Sequence, residues 1–183
     1  LFSDERAKAG EAWCYRVTAR NAGGRSPASN VVGPLKVREI CMVDEFCDLS
    51  RVSGISEGLT LDNTYNARYA EHLFRVCGST NAWLSYAVAG PVREAHVTAF
   101  FAPAQGAAID PVFLAAAEGA AFVPVAPAKR AEQAHIAPPH RGEQYRQTQV
   151  DYTLVPPRGT RQVKIVWSVP MALDRVEIYH PGR

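Results

Sequence analysis

The sequence predicts an all-β protein built as a sandwich. Three observations predict it: short segments in which apolar and polar residues alternate with period two, turn residues between those segments, and no long stretch of helical period. Alternation sends successive side chains to opposite faces of a strand, so each segment offers one apolar face to a core and one polar face to water. Burying one face per sheet, at about 25 cal/mol per Å² of apolar surface, holds two sheets together. A sheet packed on a sheet leaves loop tips and one concave face for a ligand.

The first element lies between Glu11 and Val32. Trp13, Tyr15, Val17 and Ala19 alternate with Cys14, Arg16, Thr18 and Arg20, which reads as a half-buried strand. Asn21-Ala22-Gly23-Gly24 supplies residues that tolerate positive φ in a hairpin turn, and Ser29 to Val32 begins the return strand. Gly33-Pro34 is expected to end this hairpin, and Leu35 to Ile40 reads as a connector. Beyond it, strands are expected at about Leu59–Leu61, Leu73–Cys77, Trp83–Val88, Ala95–Phe101, Val112–Ala116, Phe122–Val125, Tyr145–Leu154, Gln162–Val169 and Arg175–Tyr179. Val163, Ile165 and Trp167 share one face, so Trp167 is expected in the core. The stretch from Ala115 to Ala121 has helical propensity, which Gly119 and the flanking Pro111 and Pro124 oppose. Pro127 to Gln144 is polar, contains proline and has no period, so it is expected as a long surface loop.

Composition narrows the function. A chain of 183 residues that is 47% hydrophobic and 21% charged has the apolar material for a real core. Its formal net charge is +2, with basic residues scattered and no basic helix, which makes nucleic acid a poor partner. The longest apolar stretches are too short or too interrupted to span a bilayer. With no initiator Met and a start inside what reads as a domain, the chain is expected to be a fragment, and its lack of a leader says nothing of compartment. Cys14, Cys41, Cys47 and Cys77 are even in number, with no CxxC and no His at finger spacing, which disfavours zinc. Two disulfides in an oxidising setting are the expectation. Of the three possible connectivities, Cys14 with Cys41 and Cys47 with Cys77 is the favoured one, and buried thiols are the alternative.

The stretch EAWCYRVTARNAGGRSPASNVV resembles the last two strands of a fibronectin type III module, with Trp13 standing where such modules usually carry a tyrosine. A two-strand remnant is not independently stable, so the resemblance implies that the rest of the module lies upstream. Three later stretches are similar to galactose-binding-like jelly-roll sandwiches, the group of discoidin-type domains and many carbohydrate-binding modules. VDEFCDLSRVSGISEGLTLDN is similar to their opening and TLVPPRGTRQVKIVWSVPMALDRVEIYH to their closing strands. PVFLAAAEGAAFVPV is similar to a strand-turn-strand hairpin in which Ala116, Glu118 and Phe122 replace the usual Ser, Asp and Trp. The resemblances divide the chain into residues 1–35 of a fibronectin type III module, a linker over 36–42, and a jelly-roll β-sandwich over 43–183.

They imply a non-catalytic carbohydrate-binding module of a secreted polysaccharide-degrading enzyme, a glycoside hydrolase or a lyase, with a polysaccharide and the upstream domains as partners. The other readings are a structural or adhesive module of a surface protein that binds no sugar, and a part of a catalytic cleft. No P-loop, GxGxxG after a strand or HExxH occurs in the sequence. Sugar recognition needs flat aromatic faces and planar polar side chains. Asp62, Asn63, Tyr65, Asn66, Arg68 and Tyr69 supply both within one loop, and Trp83, Tyr86 and Tyr145 are further candidates. The related sandwiches often bind structural calcium near their first and last strands, which makes Asp44 with Asp174 or Glu177 the candidate ligands and predicts that Asp44 lies beside the closing strand.

Overall fold

The computed structural model describes residues 11–36, 40–62, 74–102, 109–135 and 147–181, and every regular element among them is a β-strand. The expected hairpin forms first. In it β1 (Ala12–Tyr15) pairs antiparallel with β4 (Val32–Lys36), and β2 (Arg20–Asn21) with β3 (Gly24–Arg25). Ser26 and Ser29 fasten its middle. Each donates its N–H to the carbonyl of Ala19 or Val17, while its hydroxyl oxygen accepts the N–H of that same residue. Gly33-Pro34 does not end the hairpin but lies inside β4. Proline brings no N–H to a ladder, and the β1–β4 register slips between Trp13 and Tyr15. Glycine is required beside it, because a Cβ on Gly33 would stand 2.7 Å from the Trp13 carbonyl oxygen. Val17, Val31, Val32 and Leu35 stay exposed, so the hairpin has a ladder but buries none of these apolar residues.

The remaining strands form a two-sheet sandwich. One sheet has the order β13 (Lys129–His135), β14 (Gln147–Leu154), β10 (Glu94–Phe101), β16 (Met171–His180), β8 (Arg75–Gly78) and β7 (Leu59–Asp62), with β5 (Ile40–Asp44) also paired to β16. The other has the order β12 (Val123–Pro124), β11 (Val112–Ala116), β15 (Gln162–Val166), β9 (Trp83–Ala87) and β6 (Gly54–Ile55). All pairings are antiparallel. β16 organises the larger sheet. It has β10 along one side, while β5 and β8 share the other end to end, Asp44 opposite Val176 and Val76 opposite Leu173.

Period two sorts the side chains as expected. Ala95, Val97, Ala99, Val150, Tyr152, Val176 and Ile178 of the larger sheet meet Leu84, Tyr86, Phe113, Val163 and Ile165 of the smaller in one core. The Phe113 and Tyr152 rings touch across it, centroids 5.1 Å apart. Trp167 is fully buried, as its alternation predicts, and its indole N–H donates to the Met171 carbonyl at 2.9 Å. The indole packs so closely on β8 that a Cβ on Gly78 would stand 2.7 Å from its nitrogen.

Three expectations need correction. Ile40 to Met42, read as connector, already belong to β5. Lys129 to His135, read as surface loop, form the edge strand β13, because backbone hydrogen bonds to β14 need no apolar side chains. A charged edge of this kind also discourages pairing with another chain. The disulfides are absent: none of the four cysteines is bridged. A bridge needs Cβ atoms within about 4.5 Å, and the strands place the thiols otherwise. Cys14 lies in the exposed hairpin and Cys47 in the exposed loop after β5, while Cys41 and Cys77 face Tyr179 and Ala172 at different points of β16.

Candidate functional site

Three neighbouring strands of the larger sheet carry polar residues at their outward positions. Register aligns these residues in rows across β14, β10 and β16: Asp151 with Thr98 and Arg175, and next to it Thr153 with His96 and Glu177. Glu94 and Tyr179 form the following pair. The first two rows line an open cleft of about 180 Å³ on the outer face of the sheet. That volume is below the roughly 300–1,000 Å³ of enclosed small-molecule pockets. An extended ligand lying across the strands suits such a cleft better than an engulfed one.

A bulge shapes one end of it. Between Thr98 and Ala99 the β10–β16 register slips, leaving Asp174 as an extra residue beside Arg175. Asp174 stands 3.6 Å from the buried Arg75, whose guanidinium lies 3.5 Å from the centroid of the Phe100 ring and donates to Gln147 Oε1 at 2.6 Å. Arg75 and Phe100 are fully buried, so this cluster is a structural abutment.

Within the cleft the side chains hold one another. Thr98 donates its hydroxyl to Asp151 Oδ1 at 2.8 Å, and Gln149 donates to both oxygens of Asp151 at 3.2 and 3.0 Å. Arg175 donates to Glu177 at 2.6 Å and also to Glu45. Tyr179 donates to the second Glu177 oxygen at 2.6 Å. His96 pairs with Glu94, and its ring centroid lies 5.3 Å from that of Tyr179.

The electrostatics follow from these contacts. Burial pushes the Glu177 carboxyl up, but the hydrogen bonds from Tyr179 and Arg175 outweigh it and hold the group below the ordinary glutamate value. Burial and the Glu177 partner raise the Tyr179 hydroxyl, which remains a donor at neutral pH. Burial also raises the Cys41 thiol on the neighbouring strand. The arrangement offers fixed donors in Arg175 and Thr98, fixed acceptors in Asp151 and Glu177, and a flat ring in Tyr179.

No protein-family model, curated protein or solved structure matches the chain.

The residues expected from sequence fall differently. Asn63, Tyr65, Asn66, Arg68, Tyr69 and Tyr145 lie outside the described residues, and Asp62 ends β7 half-buried opposite Arg75. Trp83 is half-buried on the outer face of the smaller sheet, its ring 3.7 Å from the Lys164 ammonium. Tyr86 is no sugar platform. It points into the core, fully buried, and donates to Asp44 Oδ2 at 3.0 Å.

Asp44 does lie beside the closing strand, opposite Val176. Its oxygens are already engaged, however, one by Tyr86 and the other by the Phe46 N–H at 2.9 Å. Asp44 shares the inward face with Val176, Glu177 points outward, and Asp174 pairs with Arg75. The three expected calcium ligands therefore do not converge, and no group of three or more His, Cys, Asp or Glu among the described residues is placed to hold a metal ion. A second cleft of about 290 Å³ follows Asp44, lined by Glu45, Cys47, Asp48, Ser50 and Arg51 without an aromatic ring.

Sequence reasoning passed over Thr98, Asp151, Arg175, Glu177 as a contact residue, and Tyr179. The signal available was the polar half of each alternating segment. What period two cannot supply is register, and only register brings three strands distant in sequence into common rows.

Proposed function

We propose that the chain is a non-catalytic glycan-binding module of a secreted, multi-domain protein, and that the outer cleft of the larger sheet is where it binds. The observation that carries this reading is the pair of rows Asp151-Thr98-Arg175 and Thr153-His96-Glu177 beside the Tyr179 ring. Planar donors and acceptors held by one another match sugar hydroxyls without an ordering cost at binding, and an aromatic ring matches the C–H face of a pyranose. The resemblance of residues 43–183 to galactose-binding-like jelly-roll sandwiches supports the same reading.

Retention on immobilised polysaccharides, repeated on a glycan array, tests it. The wild-type chain is expected to be retained on at least one glycan, and Arg175→Ala with Thr98→Val to lose that retention while melting normally. No retention on any glycan would end the reading.

A second role is favoured by a specific observation. Val17, Val31, Val32 and Leu35 expose apolar surface on the hairpin, as an element resembling the end of a fibronectin type III module would if it packed on upstream strands. In that reading the chain is a structural or adhesive module.

A further inference from the structure

The cleft carries a charge opposite to that of the chain. The whole sequence has a formal net charge of +2, yet among the described residues the carboxylates of this part of the face, Glu45, Glu94, Asp151 and Glu177, meet Arg175, the His96 ring beside Glu94 and Glu177, and Lys129 across from Thr153. Arg175 is occupied by Glu45 and Glu177 together. Asp151 differs from the other carboxylates. Its hydrogen-bond partners are the neutral Thr98 and Gln149, and no described cation lies within ion-pair distance of it. Thr98 and Gln149 thus fix its orientation and leave it without a cation partner in the lining of the cleft.

From this placement, and resting on the glycan reading above, we infer that the cleft selects glycans bearing protonated amines, with Asp151 as the residue that meets the ammonium group. A charge-assisted hydrogen bond is stronger than a neutral one, and like charges set close together are costly. The same cleft therefore disfavours polyuronates and sulfated chains, and gains less from neutral ones.

The test is isothermal titration of the intact chain with a glucosamine hexamer, its fully N-acetylated counterpart, cellohexaose and a galacturonate hexamer. The glucosamine hexamer is expected to bind tightest and to weaken as salt screens the contact. Asp151→Asn keeps the shape and the Thr98 hydrogen bond, and is expected to weaken glucosamine binding by about tenfold and to abolish its preference over the neutral oligomers. Asp151→Glu, which keeps the charge, is expected to retain the salt dependence. Neutral and amino oligomers binding alike, or indifference to Asp151→Asn, would overturn the amine selectivity and leave glycan binding standing. No heat with any of the oligosaccharides would remove both.

Discussion

Tyr86 of the smaller sheet donates its hydroxyl to Asp44 of the larger sheet at 3.0 Å, joining the two sheets by a polar contact inside the core. Asp44 also accepts the N–H of Phe46, whose backbone takes a positive φ and whose ring is fully buried. One carboxylate therefore fixes both the end of β5 and the contact between the sheets.

Removing the hydroxyl leaves a buried carboxylate oxygen without its donor. Tyr86→Phe is expected to destabilise the fold by about 1–3 kcal/mol, read as a lowered midpoint in urea unfolding. The pH dependence of the same site has a definite sign. Burial raises the Asp44 carboxyl above its ordinary value, and the hydrogen bonds from Phe46 and Tyr86 only partly oppose this. The native state thus keeps the proton to higher pH than the unfolded state does. Its contribution is full below the unfolded aspartate value, about 4, and is lost as pH rises through the raised native value. Asp44→Asn has no such proton to lose, so it should gain on the wild type as pH rises above about 4. A wild type that gains instead would show that Asp44 is held charged.

Gly78 is where β8 leaves no room beneath Trp167. A Cβ there would stand 2.6 Å from Leu59 Cδ2 and 2.7 Å from the indole nitrogen. Gly78→Ala is expected to cost about 1–3 kcal/mol by overpacking and to shift the tryptophan fluorescence of the native state. Unchanged unfolding would mean that β7 and the indole yield freely.

The cysteines give a chemical check of the fold. Alkylation in denaturant without reductant is expected to modify Cys14, Cys41, Cys47 and Cys77 alike, since none is bridged. In the native protein the exposed Cys14 and Cys47 should react before Cys41, which is half-buried and whose thiol pKa is raised. Recovery of a peptide linking Cys14 to Cys41, or Cys47 to Cys77, would contradict the structure.

How much of this was legible in the sequence depends on what each element owes to side-chain pattern. Val112–Ala116 was placed to the residue, and β10, β15 and β16 were found, because each buries alternate apolar residues. β13 was not, because its residues bring a backbone ladder and little apolar burial. The aromatic pair of β9 shows the same limit within one strand. Trp83 and Tyr86 are three positions apart, so they point to opposite faces and only one could meet an external ligand. The sandwich around them decides that it is Tyr86 that faces inward. The rows of the cleft combine β10, β14 and β16, and no local pattern in any of the three encodes their mutual register.

The most direct measurement is the amide NMR spectrum of the isotope-labelled chain titrated with a glycan that retains it. Saturable shifts are expected to concentrate at Thr98, Asp151, Thr153, Arg175 and Glu177, with the hairpin of β1 and β4 unmoved. Shifts centred on Trp83 and Lys164, or on the loop after β5, would place the site on another surface and contradict the proposed cleft.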